Sequence, residues 1–449
     1  MSRQTILTIL LIGTVFYVFG ALQQGRQVNI NMDYTDQSAY MDYARKMAQT
    51  QYEFVGGRNR MPVYPFIMSL FYNESQTDFQ FFELGKFIGI LIGYVLALLI
   101  YFVLSKYTDQ LTALTMTLIF TFSVLAFKAP YIQAEILYFF LSWLLFILLL
   151  ILIQNPGWKI GVLAGIIAGI AHLTKASVLP ALGLMTIIMI VKMIFHLVAW
   201  YDHNKKEKSS STAPEWLPSL TAPVLCLIVF LLIISPYLRN SKETFGHYFY
   251  NVNSTFYLWC DSWGEVEDGP KGHGDRVGWP DLPDDQLPSM EKYIREHTPG
   301  QMVSRLVNGF VKEWELTVLS HGFGYFGLLY LILVLLIGWQ NRSSIRQSYS
   351  AENHLPLIIF IGLYFSGYLT LYAWWTPIAA GNRFILSIYL PYLFLIARAF
   401  HHFGKNGFTI NVRGSEFTVE KINYVMLMLV GLFLLSVYPY WVSKFYGGS

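Results

Sequence analysis

The stretch LGKFIGILIGYVLALLIYFVL, residues 84 to 104, holds a single charged side chain, Lys86, in an otherwise nearly unbroken apolar run. An α-helix rises about 1.5 Å per residue, so about 20 residues cross a hydrocarbon core of about 30 Å, and this run is long enough. It lacks the alternation of a membrane β-strand and is therefore read as a transmembrane helix.

Similar runs lie at residues 5–22, 110–127, 134–153, 158–174, 177–199, 217–236, 321–339, 355–373, 383–400 and 422–441. The chain is thus expected to be an all-α polytopic membrane protein of about eleven transmembrane helices. Its composition points the same way, since 54% of its 449 residues are hydrophobic and only 13% are charged. Such a surplus of apolar surface must face lipid. The formal net charge of +3 is small, and no basic patch suggests a nucleic-acid partner. Cys226 sits in an apolar run and Cys260 in a polar segment, which supports neither a disulfide framework nor a metal motif. The run at 5–22 follows a short basic start, as a signal peptide does, but it has no small-residue cleavage pattern and is read as the first span.

With the amino terminus inside, Lys106, Lys159, Lys205, Lys206, Lys208, Arg342, Arg346, Arg398, Lys405, Arg413 and Lys421 all fall on the cytoplasmic side. This is the bias that the positive-inside rule expects. The segment 158–200 is too long for one span, so the polar break Thr174-Lys175-Ala176-Ser177 marks a turn at the outer face. Two long polar connections, 23–83 and 237–320, then lie outside. In the first, SAYMDYARKMA sets Tyr40, Tyr43, Ala44 and Met47 on one helical face and Asp42, Arg45 and Lys46 on another, the pattern of an interfacial helix. A second short helix is expected from Pro62. The 237–320 connection is too aromatic for disorder and reads as an ordered, partly helical lid. On the inside, KEKSSSTAPE reads as a linker, and FTINVRGSEFTVE as a hairpin turning near Arg413-Gly414. The chain divides on this reading into a membrane core over 1–236, the lid, and C-terminal membrane helices over 321–449.

Ionisable residues at the outer helix ends are the ones that bear on chemistry, because a charge held there has an energetic cost. Asp33 and Asp36 precede the interfacial helix, where a fixed carboxylate can accept a proton from a hydroxyl. Asp36 also suits a plain helix cap, and the two roles are compatible. Glu135 opens a span without an evident partner in sequence. Lys175 and Arg383 open spans at the same face and suit a phosphate, Arg383 through a two-pronged contact; snorkelling to headgroups is the alternative. Arg58, Arg60 and Tyr40 complete the candidate substrate contacts. His172 reads as a packed core histidine, and His247, His273 and His321 lack zinc-ligand spacing, so no metal ligands are assigned.

The ordered set D-Q-S-A-Y-M-D-Y-A (36–44), R-N-R-M-P-V-Y-P (58–65), A-E-I-L-Y (134–138), G-I-A-H-L-T-K (169–175) and G-N-R-F-I-L (381–386) resembles the GT-C superfamily of membrane glycosyltransferases. Within it, the likeness is to bacterial relatives of protein mannosyltransferases, aminoarabinose transferases and lipopolysaccharide-core glycosyltransferases. The resemblance implies a polyprenyl-phosphate sugar donor, an acceptor hydroxyl on lipid, glycan or protein, and inversion at the anomeric carbon. It makes Asp36 the catalytic base, with Asp33 the alternative, because the spacing here is D-x-x-D and not an adjacent acidic pair. It implies no fixed cofactor and leaves room for a divalent cation, with the site facing the outside of a bacterial inner membrane. Two rivals remain: a transporter or flippase of lipid-linked substrates, and an enzyme like an O-antigen ligase or polymerase. The first would place binding groups at the midplane of repeated halves, and no repeat is found.

Overall fold

A computed structural model of the protein describes residues 1–54, 56, 58–206, 216–318, 323–348 and 351–444. It is mainly helical with one two-stranded sheet, as expected where every backbone donor and acceptor inside lipid must be satisfied within its own segment. Among the described residues, eight helices are long and apolar enough to cross a membrane: Arg3–Val28, Asp78–Tyr107, Gln110–Lys128, Glu135–Gln154, Leu220–Phe245, His354–Trp375, Asn382–Lys405 and Val419–Ser436. Shorter apolar helices occupy Trp158–Thr174, Leu179–Phe195 and Tyr325–Gln340. Of the eleven spans that the apolar runs suggested, eight thus meet the criterion of length and hydropathy within the described residues.

Burial separates the helices into an interior and a rim. The Gln110–Lys128 span is 94% buried and Glu135–Gln154 78%, against 22% for His354–Trp375 and 28% for Arg3–Val28. One close approach in this bundle depends on glycine. A Cβ on Gly161 would lie 2.3 Å from the Ala222 carbonyl oxygen, and one on Gly165 would lie 2.5 Å from that of Cys226. Small residues one turn apart thus let the Trp158–Thr174 and Trp216–Phe245 helices touch backbone to backbone.

Both long connections lie at one end of the bundle, here called the loop face. The first is narrower than expected, running from residue 29 to 77 between the π-helical turn Gln24–Val28 and the Asp78–Tyr107 helix. Its interfacial helix, Gln37–Gln49, buries Tyr40, Met41 and Ala44 against Tyr64, Met68 and Phe82. Pro62 takes the cap position of the next helix, Val63–Ser69. Asn29 pins the loop to the neighbouring turn by donating to the Pro130 carbonyl (2.8 Å) and to Gln37 Oε1 (2.9 Å), which also accepts from Ile132 N (3.0 Å). The second connection holds its own apolar core, including Tyr250, Val252, Phe256 and Tyr257. At the opposite end, strands Thr409–Val412 and Ser415–Thr418 pair antiparallel, with Arg413 and Gly414 at positive φ in the turn. The KEKSSSTAPE linker lies outside the described residues.

Candidate active site

Asp36 occupies the cap position of the Gln37–Gln49 helix, yet its side chain makes no capping hydrogen bond. Its carboxylate turns instead to two guanidinium groups. Oδ1 accepts from Arg60 Nη2 at 2.6 Å and Oδ2 from Arg383 Nη1 at 2.8 Å, the second pair joining residues 347 apart in sequence. The residue before it, Thr35, has φ 63°, a left-handed conformation that is strained for a β-branched side chain. Thr35 Oγ1 accepts from Gln133 Nε2 at 2.6 Å, which fixes this turn against the residues leading into the Glu135–Gln154 helix.

A second ion pair lies beside the first. Lys175 Nζ stands 3.5 Å from Glu135 Oε1, supplying the partner that the sequence did not disclose. Both side chains are substantially buried, and Glu135 Oε2 has no hydrogen-bond partner. Lys175 also lies over the rings of Phe384 (5.1 Å) and Tyr138 (5.9 Å), and Arg60 over that of Tyr40 (5.5 Å). The two pairs are electrically linked: Arg383 feels both Asp36 and Glu135, and Lys175 feels Glu135, Arg383 and Asp36. Such close packing of opposite charges in a poorly hydrated place strengthens each interaction.

The titration behaviour follows from these neighbours. Burial pushes the Asp36 carboxyl up, but Arg60 and Arg383 outweigh it and hold it at about 2. Burial pushes Lys175 below the usual lysine range, opposed by the adjacent Glu135. The Tyr40 hydroxyl is raised, first by burial and then by Glu135 and Asp36.

Of the residues singled out from sequence, the fold brings Asp36, Tyr40, Arg60, Glu135, Lys175 and Arg383 together. Asp33 stays apart, exposed in a turn where its backbone N–H donates to Asn31 Oδ1 (2.9 Å). Arg58 is fully buried in a separate cage against Tyr237 and Asn240. Sequence reasoning missed Lys128, a buried residue close enough to interact with Glu135, Arg383 and Lys175. Its signal was there: a lysine closing a long apolar run just before Ala129-Pro130. His172 packs edge-on to Phe230, as a core histidine does.

A cavity of about 740 Å³ opens between the Leu179–Lys206 and Ala351–Trp375 helices, lined by Leu184, Ile187, Tyr364 and Tyr368 and roofed by Trp259 and Leu306. Tyr368 donates to the Ser177 carbonyl at 2.7 Å, which ties its upper part to the turn carrying Lys175. As a binding surface, this is a greasy groove lined by none of the charged site residues and joined to them through Ser177, two positions after Lys175. For a divalent ion the donor set is poor: both Asp36 oxygens face guanidinium groups, and among the described residues no three His, Cys, Asp or Glu side chains come together. Comparison with protein-family models and with curated protein sequences finds no match to this chain.

Proposed function

We propose that this protein is a membrane glycosyltransferase that moves a sugar from a polyprenyl-phosphate donor to an acceptor hydroxyl at the loop face, in keeping with the GT-C resemblance. The observation that carries the reading is Asp36, a carboxylate held between Arg60 and Arg383 next to the Glu135–Lys175 pair. An apolar groove joined to this cluster through Ser177 suits an isoprenoid chain with its phosphate at the cations. Basic residues such as Lys106, Lys159, Arg398 and Lys421 favour the opposite end as cytoplasmic, so the loop face is read as the outer face of a bacterial inner membrane.

In the reaction, the acceptor oxygen attacks the anomeric carbon and gives its proton to Asp36. The bond from that carbon to the phosphate oxygen breaks, and the lipid phosphate leaves as a monoester while the configuration inverts. Arg383 and Lys175 stabilise the charge that grows on the phosphate, so no separate acid is needed. A carboxyl held at about 2 is a feeble base, and this has a mechanistic use. A donor phosphate competes with Asp36 for Arg383, and the loss of that cation raises the basicity of Asp36 when the donor is bound. Base activation is thereby coupled to donor binding.

The test is transfer from a radiolabelled polyprenyl-phosphate sugar by Asp36→Asn in membranes. Loss of transfer with normal insertion supports the reading, and full activity would return Asp36 to a structural role. Mass spectrometry of lipid-linked sugars that accumulate in a deletion strain would name the donor.

A further inference from the structure

Arg58 is fully buried, and its guanidinium brings five N–H donors into that place. Its Nη2 donates to Asn240 Oδ1, a neutral acceptor, and the guanidinium lies over the rings of Tyr237 (4.0 Å) and Phe245 (5.2 Å). Its Nε and Nη1 have no hydrogen-bond partner, and among the described residues no carboxylate pairs with it. Two further hydroxyls at the same place are equally unsatisfied. Tyr43 Oη has no partner, and Tyr237 Oη interacts with the guanidinium without making a proper hydrogen bond. Both tyrosines are buried. Ring contacts offset part of the cost of burying a cation, but not the cost of leaving several donors unmade in one spot.

We propose that Arg58, Tyr43 and Tyr237 form a second anion site, which takes a carboxylate or phosphate group. An oxyanion supplies both the missing charge and the acceptor oxygens that four orphaned atoms lack. All four atoms are buried, so an anion reaches them only as the side chains of the cage part. Tyr43 follows Asp36 by seven positions on one helix, which sets the two sites about 10 Å apart along it. That spacing lets one acceptor present a hydroxyl at Asp36 and an acidic substituent at Arg58. This last step rests on the function proposed above, whereas the anion site itself does not.

The experiment follows thermal unfolding of the purified full chain in detergent as inorganic phosphate is added. It is run in Arg383→Gln, so that the cations around Asp36 do not dominate the response. The expected result is a saturable stabilisation that survives Arg383→Gln and weakens about tenfold or more when Arg58→Met is added. Should Arg58→Met not fold, Tyr43→Phe and Tyr237→Phe keep the packing and should each weaken the response several-fold. A second arm compares vesicles of phosphatidylcholine with vesicles containing phosphatidylglycerol. Stabilisation confined to the anionic vesicles, and dependent on Arg58, assigns the site to a lipid headgroup; stabilisation by phosphate assigns it to a soluble or acceptor-borne group. No response in either arm, or a response unchanged by all three substitutions, overturns the proposal. Failure of the glycosyltransferase reading would appear separately, as activity retained in Asp36→Asn without any phosphate titration.

Discussion

The two long connections at the loop face solve different physical problems. The first, 29–77, carries charge into the bundle: Asp36 and Arg60 meet Arg383, and the turn around Thr35 is tied to Gln133. The second, 246–298, buries one carboxylate, Asp275, within itself and builds an aromatic core of Tyr250, Phe256 and Tyr257, on whose exposed edge Trp279 stacks on His247 (4.3 Å) and meets Phe256 edge-on (5.3 Å). It is clamped at its margin by Asp261, which takes Tyr293 Oη at 2.9 Å, Arg305 Nη1 at 3.1 Å and His297 Nε2 at 2.6 Å. The contrast teaches that length and exposure alone do not mark a reactive loop. A loop that spends its polar groups on distant helix ends is arranged for chemistry, and one that spends its rings on itself is arranged for shape.

The largest effect expected from this division belongs to Asp36. Asp36→Asn should lower sugar transfer by about 10²- to 10⁴-fold, the usual range for losing a general base, while expression and insertion hold. Transfer assays on purified variants check this. Arg383→Ala should follow, raising the KM for donor more than that for acceptor, as expected where an arginine holds the donor phosphate. The reverse pattern would break the assignment of Arg383 to the leaving group.

In the second loop the effect should fall on stability. Phe256 is buried in the aromatic core, so Phe256→Ala should destabilise that loop by about 3 kcal/mol, read as faster hydrogen exchange over 246–298. Loss of transfer chemistry with no change in exchange would blur the distinction between the loops.

The smallest effects are those of pH, and they should have opposite signs. Asp36 is held at about 2 in the folded protein, so its contribution to stability is present above the usual carboxylate value of about 4 and is lost as pH falls through that interval. His297 is different: burial lowers it, but the Tyr293 carbonyl and Asp261 prevail and its folded value is raised. Its contribution is fully present below the ordinary histidine value of about 6.5 and is lost as pH rises through the folded value. Protection factors, with the intrinsic rise of exchange with pH divided out, should therefore fall between pH 5 and 8 in the second loop only, and an equal fall around Asp36 would contradict the geometry.

Several features could be read from the sequence because their causes are local. The apolar runs, the helix beginning after Pro62, the break at Thr174–Ser177 and the hairpin turning at Arg413-Gly414 each follow from a few neighbouring residues. The approach of Trp158–Thr174 to Trp216–Phe245 was also written there, in glycines spaced at four residues, but the partner helix was not. Asp36 could be named as a helix-start carboxylate, although its side chain does not cap; two arginines outcompete the helix amides for it. Lys128 left a trace, a lysine closing an apolar run, but its partners and the orphaned cage of Arg58 were illegible, because each has meaning only through side chains far away in the chain.

By itself, then, the sequence determined that this chain forms apolar helices and along which stretches of chain they lie. Those outcomes depend on hydropathy, backbone hydrogen bonding and proline or glycine at single positions, all of which act over a few residues. Only the tertiary structure decided which helices are interior, which charges share one poorly hydrated site, and that Asp36 and Arg383 touch across 347 residues of chain. Electrostatic pairing depends on distance and burial, and neither is a property of sequence order.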